Sequence, residues 1–536
     1  MKAQFILFTI LLMGISRPLY SQTVAVSGNI DSNTNWDADT VQLIGDVSVS
    51  QGITLLISPG TYIEAEGYFK IDVYGQIKAN GSQVNPITFS VRDSSNFWED
   101  TLSTQGGWGG VNIFGIIPST DTNIFEYCVF NFGKKYDSNN INNYGGAINA
   151  QNHGIIKVTN CIFRNNMAIG YTEETAGGAI YCKSMRHVSI NGNSFKFNRS
   201  FDSGGAISID NDCENVIIKN NLFVNNTSIS FQQSGGYIVI NGDGAAVSIH
   251  DNIGSSPIIC NNQFYNNSSV NGVIYISSLN ALVFNNVVCN NFCDALTDGH
   301  QLSTSNIFNN TVVNNLVYNG GFQLFSSANV YNNIVWGNIN GYTGQLATQI
   351  NVTTVFPIHP HLFNNCVDFG NGGTNAVYTD PDFINPSTSV GPVNNYSDID
   401  WSVTVYSPCI NAGVEDTTGL FIPLIDIIGD NRIYPARIDI GAFENNSLWL
   451  KADNDKFDQK SNIYPNPGSA FLNIYTDHEI SGALFTLYNM KGQTFLKQPI
   501  ENSKQQINTS QIPAGTYLWH VVFKNKIIES GKWIKE

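Results

Sequence analysis

Lys183, Asp210 and Asp212 are the residues of this chain whose types and spacing suit them best to chemistry. The tetrapeptide Gly-Gly-Ala-Ile begins at Gly145, Gly177 and Gly204, and Gly-Gly-Tyr-Ile begins at Gly235. Aligned on these, Gln151, Lys183, Asp210 and Asn241 share one position, and His153, Met185, Asp212 and Asp243 share another two residues on. Lys183 and Asp210 then stand one repeat apart near Asp212, with Arg186, His187 and Glu214 on the adjoining turn. A lysine can take the proton beside a substrate carboxylate, and a carboxylate pair can serve as acid and base in glycoside hydrolysis. On that reading Lys183, Asp210 and Asp212 are catalytic and Arg186, His187 and Glu214 hold substrate. The alternative is an exposed strand end with a cross-repeat ion pair of about 0–1 kcal/mol. Two further stretches, "FWEDTLSTQGGWGG" and "GYTEETAGG", hold Glu99, Asp100, Glu173 and Glu174. Trp98, Trp108, Tyr136 and Tyr171, in and near them, are suited to stack on sugar rings or to pack down on the fold. No phosphate-loop, Ser/His/Asp or His-rich metal motif is present.

The elements that position these residues follow from a second repeat. "EYCVFNF", "TNCIFRNN", "NGNSFKFN", "KNNLFVNN", "CNNQFYNN", "FNNVVCNN", "FNNTVVNN", "YNNIVWGN" and "FNNCVDFG" recur in order. Their anchors are Phe130, Phe163, Phe195, Phe223, Phe264, Val288, Val312, Val335 and Val367, with spacings that fall to 23–24 residues and otherwise reach 41. A minimal spacing with variable additions describes one structural coil carrying insertions in a permitted loop. Such a coil cannot bury its own apolar face and must stack on neighbours about 4.8 Å away. The Gly pairs allow a corner with φ > 0. Asn220, Asn261, Asn285, Asn309 and Asn332 fall at one corner, where asparagine tolerates left-handed backbone and its amides can form a ladder.

Coil length, Asn corner and Gly-Gly-Ala-Ile strand together resemble a right-handed parallel β-helix of the pectate-lyase-like superfamily. "DVSVSQGITLLISPGTYIEA", "IDVYGQIKANGSQVNPITFS" and "GWGGVNIF" resemble the opening coils of secreted members. The resemblance implies an all-β fold over residues 22–369. It leaves three functions open: binding of an extracellular polysaccharide, a polysaccharide lyase or glycoside hydrolase acting on acidic glycans, and a structural or adhesin role. Residues 370–444, with "TDPDFINP", "YSPCINAG", "DIIGDNRI" and "IDIGAFE", are similar to a choice-of-anchor terminal region and are expected to cap the stack. Asp380, Asp382, Asp426, Asp430 and Asp439 there suit either turns or Ca2+.

After a polar linker at 445–461, residues 462–536 alternate between strand and turn as in a small β-sandwich. Tyr464-Pro465-Asn466-Pro467, Lys491-Gly492, Pro513 to Tyr517 and the Lys-containing tail resemble the type A C-terminal sorting domain of type IX secretion substrates. That resemblance implies the type IX machinery as a partner, and delivery outside or onto the surface of a Gram-negative cell. Residues 1–21 read as a signal peptide, with Lys2 before an apolar core from Phe5 to Ile15 and an exit near Ser21. No later segment is long and apolar enough to span a membrane as a helix. With seven Lys against five acidic residues the tail from Ile463 carries +2, so of the net charge of −16 the residues before it carry −18. An acidic body argues against nucleic acid as a partner. The nine cysteines lack zinc-site spacing and read as buried small hydrophobes, with disulfides as the alternative in an exported chain.

Overall fold

The computed structural model describes residues 22–115, 121–137, 143–170, 175–211, 213–229, 232–234, 237–239, 242–252, 255–353, 359–432, 437–445, 461–476, 482–489, 493–502, 504–523 and 526–536. The signal-peptide segment, Lys491-Gly492 and most of the linker lie outside these. The chain divides into two compact units at Glu444/Asn445.

The first unit is a parallel β-helix. Each full coil adds a strand to three ladders, as Ile148–Gln151, Ile155–Thr159 and Ile162–Arg164 do in one coil. Ile180–Lys183, His187–Asn191 and Ser194–Lys196 follow in the next. Every one of these pairs with its equivalent in parallel and in register. Alternation directs one side chain in two inward, where equivalent residues stack. Phe89, Phe130, Phe163, Phe195, Phe223 and Phe264 form a column of near-parallel rings 4.6–4.9 Å apart. Val288, Val312, Val335 and Val367 continue it. The corner before the first ladder requires glycine. Gly177 has φ 69° and a Cβ there would lie 2.3 Å from the Ile180 carbonyl, while one on Gly178 would lie 2.1 Å from the Gly205 carbonyl.

The Asn corners have the expected left-handed backbone, with φ of 51–57° at Asn220, Asn261, Asn285, Asn309 and Asn332. The amide ladder, however, runs through the residue after each. Asn193, Asn221, Asn262, Asn286, Asn310, Asn333 and Asn365 are buried, each Nδ2 donating to the next Oδ1 at 3.0 Å. A second ladder, unforeseen, runs Asn166, Asn198, Asn226, Asn267, Asn291, Asn315 and Asn338. The left-handed residue turns its side chain outward, leaving the following one to point in.

The Gly-Gly-Tyr-Ile alignment is also corrected. Gln232–Ser234 and Tyr237–Val239 form an antiparallel hairpin inserted in the coil, and the ladder resumes at Val247, so His250 rather than Asn241 stacks on Asp210. Nor does the region after 370 act only as an end cap. Residues 374–377 add bridges to the last coil, and the chain then folds back along its flank as a strap. The outward Asn amides hold that strap. Asn314, Asn290 and Asn266 donate to carbonyls of Ser387, Ser389, Gly391 and Val393, and Asn364, Asn309 and Asn285 to those of Ala412, Asp439 and Ile425. Trp401, Val403, Cys409 and Ile440 pack beneath it on Val287, Cys289, Val313, Ile334 and Cys366. Of the Asp residues that suit turns or Ca2+, Asp426 accepts from the amides of Ile428 and Asp430, and Asp380 from that of Asp382, as in turns.

The second unit is a sandwich of two antiparallel sheets. One contains Ser461–Tyr464, Phe471–Thr476 and Lys504–Asn508; the other orders Thr494–Ile500, Ala483–Asn489, Gly515–Phe523 and Lys526–Lys535. Leu472, Ile474, Phe485, Leu487, Trp519 and Trp533 share its core.

Candidate functional site

Parallel register fixes what shares the outer face of the first ladder. Phe114, Gln151, Lys183, Asp210 and His250 occupy one column on successive coils, so Lys183 and Asp210 are neighbours as expected. Among the described residues no ion pair joins those two. Asp210 instead accepts from Ser208 Oγ at 3.1 Å and from Tyr181. Burial pushes its carboxyl above the usual range, against the pull of His250, those hydrogen bonds and Lys183. His250 Nε2 lies 3.6 Å from Asp243 Oδ2, and Asn271 donates to Asp243 at 2.8 Å. Arg186, His187 and Glu214 lie past the corner, Arg186 and Glu214 exposed and His187 opening the second ladder. Asp212, Tyr171, Glu173 and Glu174 fall outside the described residues.

A concave part of this face lies one to two coils toward the N-terminus, and of the aligned column Gln151 reaches it. An open cleft of about 650 Å3 is lined by Tyr68, Lys70, Phe114, Lys135, Tyr136, Asp137, Tyr144, Asn149 and Gln151, among others. Its polar floor is a chain of contacts. Lys135 Nζ donates to Asn112 Oδ1 at 2.9 Å, Asn112 Nδ2 to Asp72 Oδ1 at 3.0 Å, and Lys70 Nζ pairs with Asp72 Oδ2 at 2.8 Å. Burial, aided by the neighbouring Lys70 cation, pushes Lys135 down to about 8. Burial pushes the Tyr68 phenol up to about 12. The wall is pinned by buried Lys134, whose Nζ donates to the carbonyls of Phe97, Asp100 and Gln105 at 3.3, 2.8 and 2.9 Å. Tyr144 stacks on Tyr181 at 4.1 Å, joining the cleft to the Lys183/Asp210 patch. Among the described residues, no group of three or more metal-ligating side chains converges. Of the residues singled out in the sequence, Tyr136 and Gln151 line the cleft, whereas the Lys134-Lys135 pair after the Phe130 anchor was missed.

In the sandwich, the Tyr464-Pro465-Asn466-Pro467 motif is exposed yet anchored to the last strand. Asn466 accepts from the Ile534 amide at 2.9 Å and donates to the Lys532 carbonyl at 2.7 Å, and Trp533 Nε1 donates to the Pro465 carbonyl at 2.9 Å.

Stacked parallel coils with an open ladder face, followed by a separate antiparallel sandwich, define a parallel β-helix protein with a C-terminal β-sandwich unit. Residues 28–182 match the family described as pectate-lyase like beta helix domain, and residues 462–536 the family described as secretion system C-terminal sorting domain. The chain is thus a secreted surface β-helix protein with a type IX sorting tail. No curated protein matches the chain.

Proposed function

We propose that the β-helix binds extracellular polysaccharide along the first-ladder face, with the sorting domain delivering it to where such polymers lie. The cleft carries this reading. Phe114, Tyr136 and Tyr144 offer rings for sugar faces, Asn149 and Gln151 offer amides for hydroxyls, and Lys70 and Lys135 offer ammonium donors, all around one cavity whose Gln151 stacks in register with Lys183 and then Asp210. A glycan array of uronates, neutral glycans and host glycans tests it. Binding to one class supports the reading; silence across all of them favours a structural or adhesin role.

A second reading, a lyase or hydrolase, rests on Lys135. An ammonium group pushed down to about 8 holds enough free amine near neutrality to accept a proton. Asp210, pushed up by burial, suits a proton donor. Incubation with acidic polymers, reading absorbance of unsaturated products and reducing-sugar release, tests both chemistries. Activity that survives Lys183→Ala and Asp210→Ala but not Lys135→Ala would move the chemistry into the cleft.

A further inference from the structure

Cys366 lies in the third ladder on the last full coil, and Cys409 lies in the strap, yet both are fully buried in one apolar cluster with Trp401, Val403 and Ile440. The Cys366 thiol interacts side chain to side chain with Cys409, and its Sγ also reaches the Thr379 carbonyl at 3.6 Å. Cys128 and Cys161 also interact through their thiols, but they do so from equivalent positions on successive coils. Stacked parallel neighbours hold their Cβ atoms about 4.8 Å apart with parallel vectors, whereas a disulfide needs about 3.5–4.5 Å with the vectors turned together. Accordingly Cys161 Sγ accepts the Cys128 amide at 3.3 Å, and both of those thiols donate to backbone carbonyls. Cys366 and Cys409 approach from two different elements, so coil spacing does not hold them apart.

We propose that Cys366 and Cys409 are a disulfide site, oxidised during export, which ties the strap to the last full coil. The sorting domain marks the chain for secretion, and disulfides form and persist beyond the reducing cytoplasm. The oxidant is an exchangeable disulfide, of a thiol–disulfide oxidoreductase or of oxidised glutathione. One of the two thiolates attacks that disulfide and releases one donor thiolate. The other then displaces the second. One sulfur–sulfur bond forms and one breaks, the pair loses two electrons and two protons, and the donor leaves as two thiols. Mutual hydrogen bonding and burial push the Cys366 thiol well up, so exchange belongs to the stage before the strap closes.

The test is alkylation of the full chain, folded in a buffer of oxidised and reduced glutathione and then denatured in urea without reductant. The expected result is seven alkylated cysteines of nine, with a peptide pair containing Cys366 and Cys409 lighter by two hydrogens than its reduced form. Prior reduction restores nine, and Cys366→Ser leaves all eight remaining cysteines open to alkylation. Nine alkylated cysteines without reduction, or a cross-link between any other pair, overturns the proposal. Because the map is read on denatured protein, a loss of stability in the variant does not obscure the answer.

Discussion

Asn310 donates its side-chain amide to Asn333 Oδ1 and to the carbonyls of Val283 and Phe308, and accepts both the backbone and side-chain N–H of Asn286. Truncating it strands several buried polar groups at once. Asn310→Ala is expected to cost about 2–4 kcal/mol by denaturant unfolding. Asn220 is exposed and left-handed, so Asn220→Gly keeps the backbone and is expected to change stability by about 0.5 kcal/mol or less. Equal effects of the two would mean that the inward amides are not the ladder. The corners were legible in the sequence because left-handed backbone selects asparagine. Which of two adjacent asparagines turns inward was not, since Asn285 and Asn286 are identical in type and only the bend separates their directions.

The strap is where a single element bears most on stability. Arg432 is fully buried, donating to Glu444 at 3.3 Å, Asn285 at 2.6 Å and the Ala442 carbonyl at 2.8 Å. Arg432→Met leaves Glu444, Asn285 Oδ1 and the Ala442 carbonyl without their buried donor and is expected to cost about 3–5 kcal/mol, with earlier proteolysis of the strap as the readout. Burial and the nearby Asp439 charge outweigh Arg432 and push Glu444 from an ordinary 4.5 to about 8. The folded state therefore holds a proton that the unfolded chain gives up sooner. Glu444's contribution is full below 4.5 and is lost as pH rises toward about 8. Thermal unfolding across that window should show wild-type stability falling with pH, and Glu444→Gln should flatten the fall; an unchanged slope would mean that Glu444 titrates normally. Sequence periodicity revealed the coils because each repeats a stacking constraint. It misplaced Gly-Gly-Tyr-Ile, whose composition copies a corner although its Tyr237 and Ile238 pair with an antiparallel strand. The strap's path was hidden for a related reason: its anchors are outward amides of residues already explained as corners.

At the scale of the whole chain, two units carry two tasks. The sorting unit presents an exposed Pro-containing motif fixed to its last strand through Trp533, so Trp533→Ala is expected to unfold the tail and leave the protein unexported. Normal export of a variant with an unfolded tail would contradict that role. The β-helix class and the tail were legible from repeats and motifs. The cleft was legible only at Tyr136 and Gln151, because Lys70, Asp72, Asn112 and Lys135 come from different coils and no spacing along the chain relates them. The most direct measurement of the central claim is calorimetric titration of an array-positive oligosaccharide into the intact protein and into Tyr136→Ala and Lys70→Ala variants of unchanged stability. The account predicts that each variant weakens binding by about tenfold or more, as loss of a ring or a charged donor should. Unchanged affinity in both would place the glycan elsewhere on the molecule and contradict the assignment of this face.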